Sequence, residues 1–194
     1  MSAPVTQVAV GRSRSLEATL QVAIVLAASL FVAVCARFSL PVPGTPVPLS
    51  MQNFAVLVVG LSLGSRRGFL ALALYLVEGA AGLPVFSPIG APGILRFAGP
   101  SAGYLIAYPF VAGLVGYIFE RGKQTFARAA SAALAGELLL FTCGISWLYV
   151  VTHSLARAIS FGLYWFIFAE VLKVMFAAGI ATGWRRFFAN NLNG

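Results

Sequence analysis

The sequence predicts an all-α integral membrane protein with six transmembrane helices, cytoplasmic N- and C-termini and structured outer loops. Three observations carry this. Of 194 residues, 60% are hydrophobic and only 9% charged, with a mean hydropathy of +0.92, whereas a soluble domain carries about 25% charged residues. The apolar residues gather into six stretches, roughly 16–36, 49–64, 68–83, 101–119, 129–151 and 158–183, near the length that crosses a hydrocarbon core. The basic residues alternate between the two sides from loop to loop. Without an internal repeat or low-complexity tract, residues 1–194 read as a single membrane domain.

Span one follows "MSAPVTQVAVGRSRSLEATLQVAIV". The apolar run continues with no small-residue cleavage site, so it reads as a retained span and not a signal peptide. It contains Ala23-x-x-x-Ala27, small residues four apart that let a second helix approach closely, either within the bundle or from a partner. Spans two and three are short, and each lies beside a Pro- or Gly-rich segment, as spans that line a site often do. The connections "RFSLPVPGTPVP" (37–48) and "PVFSPIGAPGILRFAGP" (84–100) share the outer side. Pro41, Pro43, Pro46 and Pro48 stiffen the first toward an extended path. Such loops either cap a cavity or merely connect helices.

Orientation follows from charge. Arg12, Arg14, Arg66, Arg67, Arg121, Lys123, Arg128, Arg185 and Arg186 fall on one side of the six spans. Arg37, Arg96 and Arg157 fall on the other, and Lys173 lies within span six. The richer side is cytoplasmic. Topology thereby accounts for the net charge of +8, and no nucleic-acid partner is called for. Cys35 and Cys143 share no metal or redox spacing and read as small packing residues.

Ionisable groups inside spans are costly and rarely decorative. Glu170 and Lys173, in "FAEVLKVM" near the middle of span six, are three residues apart and share one helical face. Either they neutralise each other as a buried ion pair, or they jointly face a polar ligand. Because desolvation makes such a pair a poor stabiliser, the second reading is preferred. A carboxylate accepts from N–H groups and an ammonium donates to a carbonyl, so together they complement a urea, an amide or an amino-acid group. Glu78, near the outer end of span three, is expected to reach the interface, and Glu137 to bond a neighbouring helix or subunit. Span four opens with "FAGPSAGY", in which Pro100 suits a first helical turn. Its N-terminus faces outward and, with Arg96 four residues before Pro100, forms either a simple cap or a seat for an anionic group.

Enzymatic chemistry is poorly supported. The chain has no Asp and a single His, His153, placed at a span end, and it lacks HExxH, GxSxG and a Walker A sequence. It is read as a non-enzyme with no metal or cofactor, and any energised transport would need a separate motor.

The segments "VPGTPVPLSMQNFAVLVVGLSLGSRRG", "AAGLPVF", "FAGPSAGYLIAYP", "GISWL" and "AEVLKVM" resemble, in order, the pattern of the BioY family over about residues 20–180. These are substrate-binding S components of energy-coupling-factor (ECF) biotin transporters. The resemblance implies six membrane helices in the cell membrane. It implies biotin as the substrate, taken from outside, and a transmembrane T subunit and ATPase subunits as partners. Glu170, where the family usually has Asp, and Lys173 would meet the ureido ring. Gln52 and Ser101 lie in the matching motifs, Gln52 bonding the ligand or holding the loop, while Tyr104 and Trp147 would wall the ring system. Some members carry Arg after the tyrosine where this chain has Leu105, which leaves Arg96 or the span-four amides for the tail carboxylate. Ser50 stands where the family commonly has Thr, and Pro88, Pro92 and Arg96 interrupt a loop that is usually richer in glycine. Ala23 and Ala27 are similar to the surface that docks the T subunit. The alternatives are an S component for another small vitamin, or a membrane scaffold whose ionic pair closes on itself with no outward-facing polar cavity.

Overall fold

The computed structural model describes the backbone of residues 5–192 and the side chains of residues 15–183. Helix α1 (Val5–Arg37) leads into a two-stranded ladder, β1 (Ser39–Leu40) and β2 (Leu49–Ser50). Then follow α2 (Gln52–Ala80), a 3-10 turn (Gly93–Ala98), α3 (Ala102–Glu120), α4 (Phe126–Thr152), α5 (Leu155–Ile159), a π-helical turn (Ser160–Tyr164) and α6 (Ile167–Leu192). Among the described residues, four helices are long and apolar enough to cross a membrane, or five if α5 and α6 count as one bent span. The side chains of Arg12, Arg14, Arg185 and Arg186, which entered the charge count, lie outside the described residues.

Expected spans two and three are the two arms of α2. Gln52 Nε2 bonds Tyr75 Oη at 2.5 Å, whereas 23 residues of straight helix would separate them by about 34 Å. The chain therefore folds back on itself, and the reversal sits at Gly64, with φ 79° and ψ −176°. Only glycine adopts that backbone readily, and a Cβ there would also sit 1.6 Å from Glu120 Oε1. Arg66 and Arg67, expected in a loop, begin the second arm instead. Span two starts at Gln52 and not at residue 49, because Leu49 and Ser50 pair in antiparallel register with Leu40 and Ser39. The prolines between these pairs lack the N–H a longer ladder needs.

Helix α3 runs through the centre of the bundle and α1 lies at its edge. Small residues allow α3 to sit close to its neighbours: Gly103 packs against Gly144 of α4, with Cys143 O 2.6 Å from where its Cβ would be. On α1 the inner face is Ala28, Ser29, Val32, Ala33 and Ala36, while Ala23 and Ala27 are exposed. Their spacing therefore serves no internal packing.

The last span differs most from expectation. It is not continuous: α5 and its π turn meet α6 at 43° across Trp165 and Phe166. Glu170, expected mid-helix, consequently lies in the first turn of α6, where the helix dipole favours a carboxylate.

Candidate functional site

The Pro-rich segment 37–48 reaches this break. Thr45 Oγ1 donates to Phe161 O at 2.8 Å, and Gly44 lies against the Trp165 ring. Arg37 donates to Pro84 O, which links this segment to residues 84–100. Beneath them opens a cavity with an empty volume of about 550 Å³, counting its mouth. Its polar lining comes from Ser50, Gln52, Asn53, Arg96, Ser101 and Glu170, and Tyr104, Tyr108, Phe141 and Phe166 supply aromatic walls. Val47 and Pro48 form part of the rim, so the Pro-rich loop does cap a cavity.

Glu170 and Lys173 form a buried ion pair, with Lys173 Nζ 2.8 Å from Glu170 Oε1. The ammonium also donates to Ser50 O at 2.6 Å and to Asn53 Oδ1 at 3.1 Å. Its three protons are thereby matched to three acceptors. Asn53 Nδ2 donates in turn to Glu170 Oε2. Glu170 lines the cavity, whereas Lys173 sits one layer behind it, next to Ser50 and Asn53. The sequence reading missed Asn53. Its signal was an amide in the first turn of an apolar helix, directly after Gln52.

Gln52 holds the loop: its amide donates to Tyr75 Oη, which donates to Val85 O at 3.1 Å. Tyr104 lines the cavity and donates to Gly162 O at 2.9 Å, anchoring the π turn. Trp147 is the expected wall residue that the structure puts elsewhere. Its indole N–H donates to Gly99 O at 2.9 Å and it is absent from the lining, so it fixes the loop from behind. Pro100 does not open the helix either. It precedes Ser101, the N-cap residue, in a turn closed by Ala102 N on Gly99 O at 3.1 Å, where proline favours the second position.

Arg96 lies within the 3-10 turn, 3% exposed, donating to Ile89 O. Its Nε has no hydrogen-bond partner. Burial lowers its pKa from the usual value, although a guanidinium remains charged at any physiological pH. An unpaired charged donor on a cavity wall is suited to an anion, and Ser101 beside it makes no capping bond. Away from the cavity, Glu78 accepts from the buried Ser29 Oγ at 2.5 Å, so it ties the second arm of α2 to α1. Glu137 is buried, and neither oxygen accepts a hydrogen bond among the described residues; the Glu170 carboxylate of α6 lies within hydrogen-bonding reach of it.

A model of the BioY family matches residues 7–190. The biotin transporter BioY of Thermotoga maritima is 34% identical over 140 residues, covering 72% of this chain and 82% of that protein. The probable biotin transporter BioY of Pyrococcus horikoshii is 37% identical over 139 residues, covering 70% and 79%. In three dimensions the chain resembles a solved S-component for biotin from an ECF-type ABC transporter, with a TM-score of 0.79 and 23% identity over 88% of this chain and 93% of that one. At that identity the likeness establishes the shared fold.

Proposed function

Because the chain belongs to the BioY family, we propose that it is a multi-pass cell-membrane subunit that captures biotin from the outer side for uptake by an ECF transporter. The observation that carries this reading is the cavity itself. Its lining combines Glu170 and Asn53, with Lys173 behind them, with the polar groups of Arg96 and Ser101, which bond neither member of that pair. Biotin has the same distribution of chemistry. Its cyclic urea offers N–H groups to Glu170 and a carbonyl to the Asn53–Lys173 amide and ammonium. Its aliphatic tail passes Tyr104 and Leu105, and its carboxylate meets Arg96 and Ser101. A scaffold without a ligand would need no polar cavity beside its ion pair.

Six crossings with both termini cytoplasmic fit the geometry: the arms of α2 supply two and the bent α5–α6 pair the last. The arms are short because they line the cavity and face little lipid. The chain carries no nucleotide-binding motif, so energised uptake requires a T subunit and ATPase subunits. The exposed Ala23 and Ala27 face of α1 is the surface offered to them. The test is biotin binding to the purified protein in lipid nanodiscs, with desthiobiotin and unrelated vitamins as competitors. Saturable binding displaced by desthiobiotin is expected. An absence of saturable biotin binding overturns the reading, and displacement by another vitamin reassigns the ligand.

A further inference from the structure

One buried acid has no task in this scheme. Glu137 precedes Leu140 and Phe141 of the cavity lining by three and four residues, which places it on the same face of α4, one turn deeper. It is 5% exposed, and neither carboxylate oxygen accepts a hydrogen bond among the described residues, while the Glu170 carboxylate lies within hydrogen-bonding reach. The groups that face it are Glu170 and Lys173 of α6 and Tyr108 of α3. At this level α2 contributes Leu57, packed with Val111 and Val115 against the adjoining Gly136, and Asn53 beside the ion pair. The one cation in this group, Lys173, is already committed to Ser50 O, Asn53 Oδ1 and Glu170 Oε1.

Ionised, Glu137 would be an uncompensated charge at membrane depth and a second carboxylate competing for a single ammonium. As the neutral acid it avoids both costs. We propose that Glu137 is a proton-carrying positioning residue for the ligand pair. With its proton it leaves the ammonium to Glu170 and Asn53, and without it, it draws Lys173 away and weakens capture. This rests on the reading of Glu170 and Lys173 as the biotin-binding pair. The protonated form is the competent one, so affinity is complete at low pH and falls as pH rises through the titration of Glu137. Because coupling is reciprocal, biotin binding takes up a proton in that range.

The test compares biotin affinity of wild type and E137Q in nanodiscs from mildly acidic to strongly alkaline pH. Glutamine keeps the size and neutrality of the protonated acid. Above the pH at which Glu137 titrates, wild type should lose affinity up to about tenfold more steeply per pH unit than E137Q, the limiting slope of one proton. E137Q should retain the wild-type affinity found at low pH. Coincident slopes overturn the proposal. Should E137Q fail to fold, calorimetry of wild type in buffers of differing ionisation enthalpy decides: proton uptake on biotin binding supports the proposal, and none at any pH overturns it. Absence of wild-type binding at every pH is a different result, which removes the biotin reading itself.

Discussion

Replacing Lys173 with Met keeps the unbranched stem and deletes the charge. The native ammonium bonds three acceptors between 2.6 and 3.1 Å, and the paired side chains are 9% and 6% exposed. K173M leaves Glu170 buried with Asn53 as its remaining donor and strips Ser50 O of its partner. Removing one member of a buried pair costs about 3–5 kcal/mol of folding stability, whereas biotin affinity should fall by about 10- to 150-fold, the worth of one hydrogen bond to a charged group. The assay is equilibrium binding of labelled biotin in nanodiscs, with thermal unfolding followed in parallel. E170Q/K173M provides the internal control. With both charges gone, stability should recover relative to K173M while binding does not, because no buried charge is then left alone. Folded K173M that binds biotin as tightly as wild type would refute the assignment of the pair.

Two further substitutions probe the ends of the scheme. R96Q should weaken biotin by about 10- to 150-fold, the worth of a hydrogen bond between charged groups, yet leave biotin methyl ester bound as by wild type, since the ester has no charge to lose. Equal losses for both compounds would remove the carboxylate from Arg96. G64A should lower stability by about 1–3 kcal/mol through its backbone conformation, seen as a fall in melting temperature, whereas G179A, with open space around its Cβ, should change little. Equal melting temperatures for the two would mean that the reversal tolerates a side chain.

What could be read in the sequence, and what could not, divides along physical lines. Membrane crossing is a property of composition over some twenty residues, so the spans at α1, α3 and α4 were legible to within a few positions. The hairpin at Gly64 was legible as two spans but not as a tight reversal, because the left-handed φ of one glycine leaves no mark among 20 glycines. The break before α6 was invisible. Its residues, Phe161 to Phe166, are as apolar as a continuous span, and their carbonyls are satisfied from afar by Thr45 and Tyr104. Glu170 and Lys173 stood out because charges in lipid are expensive. Asn53 did not, since an uncharged amide is cheap enough to pass as a helix start. Trp147 was misplaced because an indole offers both a wall and a donor, and only the position of Gly99 O decides which is used.

The geometry also bears on selectivity. The protein's own groups satisfy the pair: Lys173 has three acceptors, and Glu170 has donors from Lys173 and Asn53. On the proposed reading, capture is an exchange, in which the ligand must replace the bonds it breaks. If Asn53 turns from Glu170 toward a ligand carbonyl, the carboxylate loses a donor, and only an N–H on the same ligand, one atom from that carbonyl, can restore it. A cyclic urea carries both groups on one rigid edge. A simple ketone or alcohol supplies one and leaves a buried polar group unpaired, at a cost of about 1–3 kcal/mol. On the proposed reading, discrimination arises from bonds the protein's own groups make to the pair, which gives a physical reason for an ion pair at a helix break inside so apolar a chain.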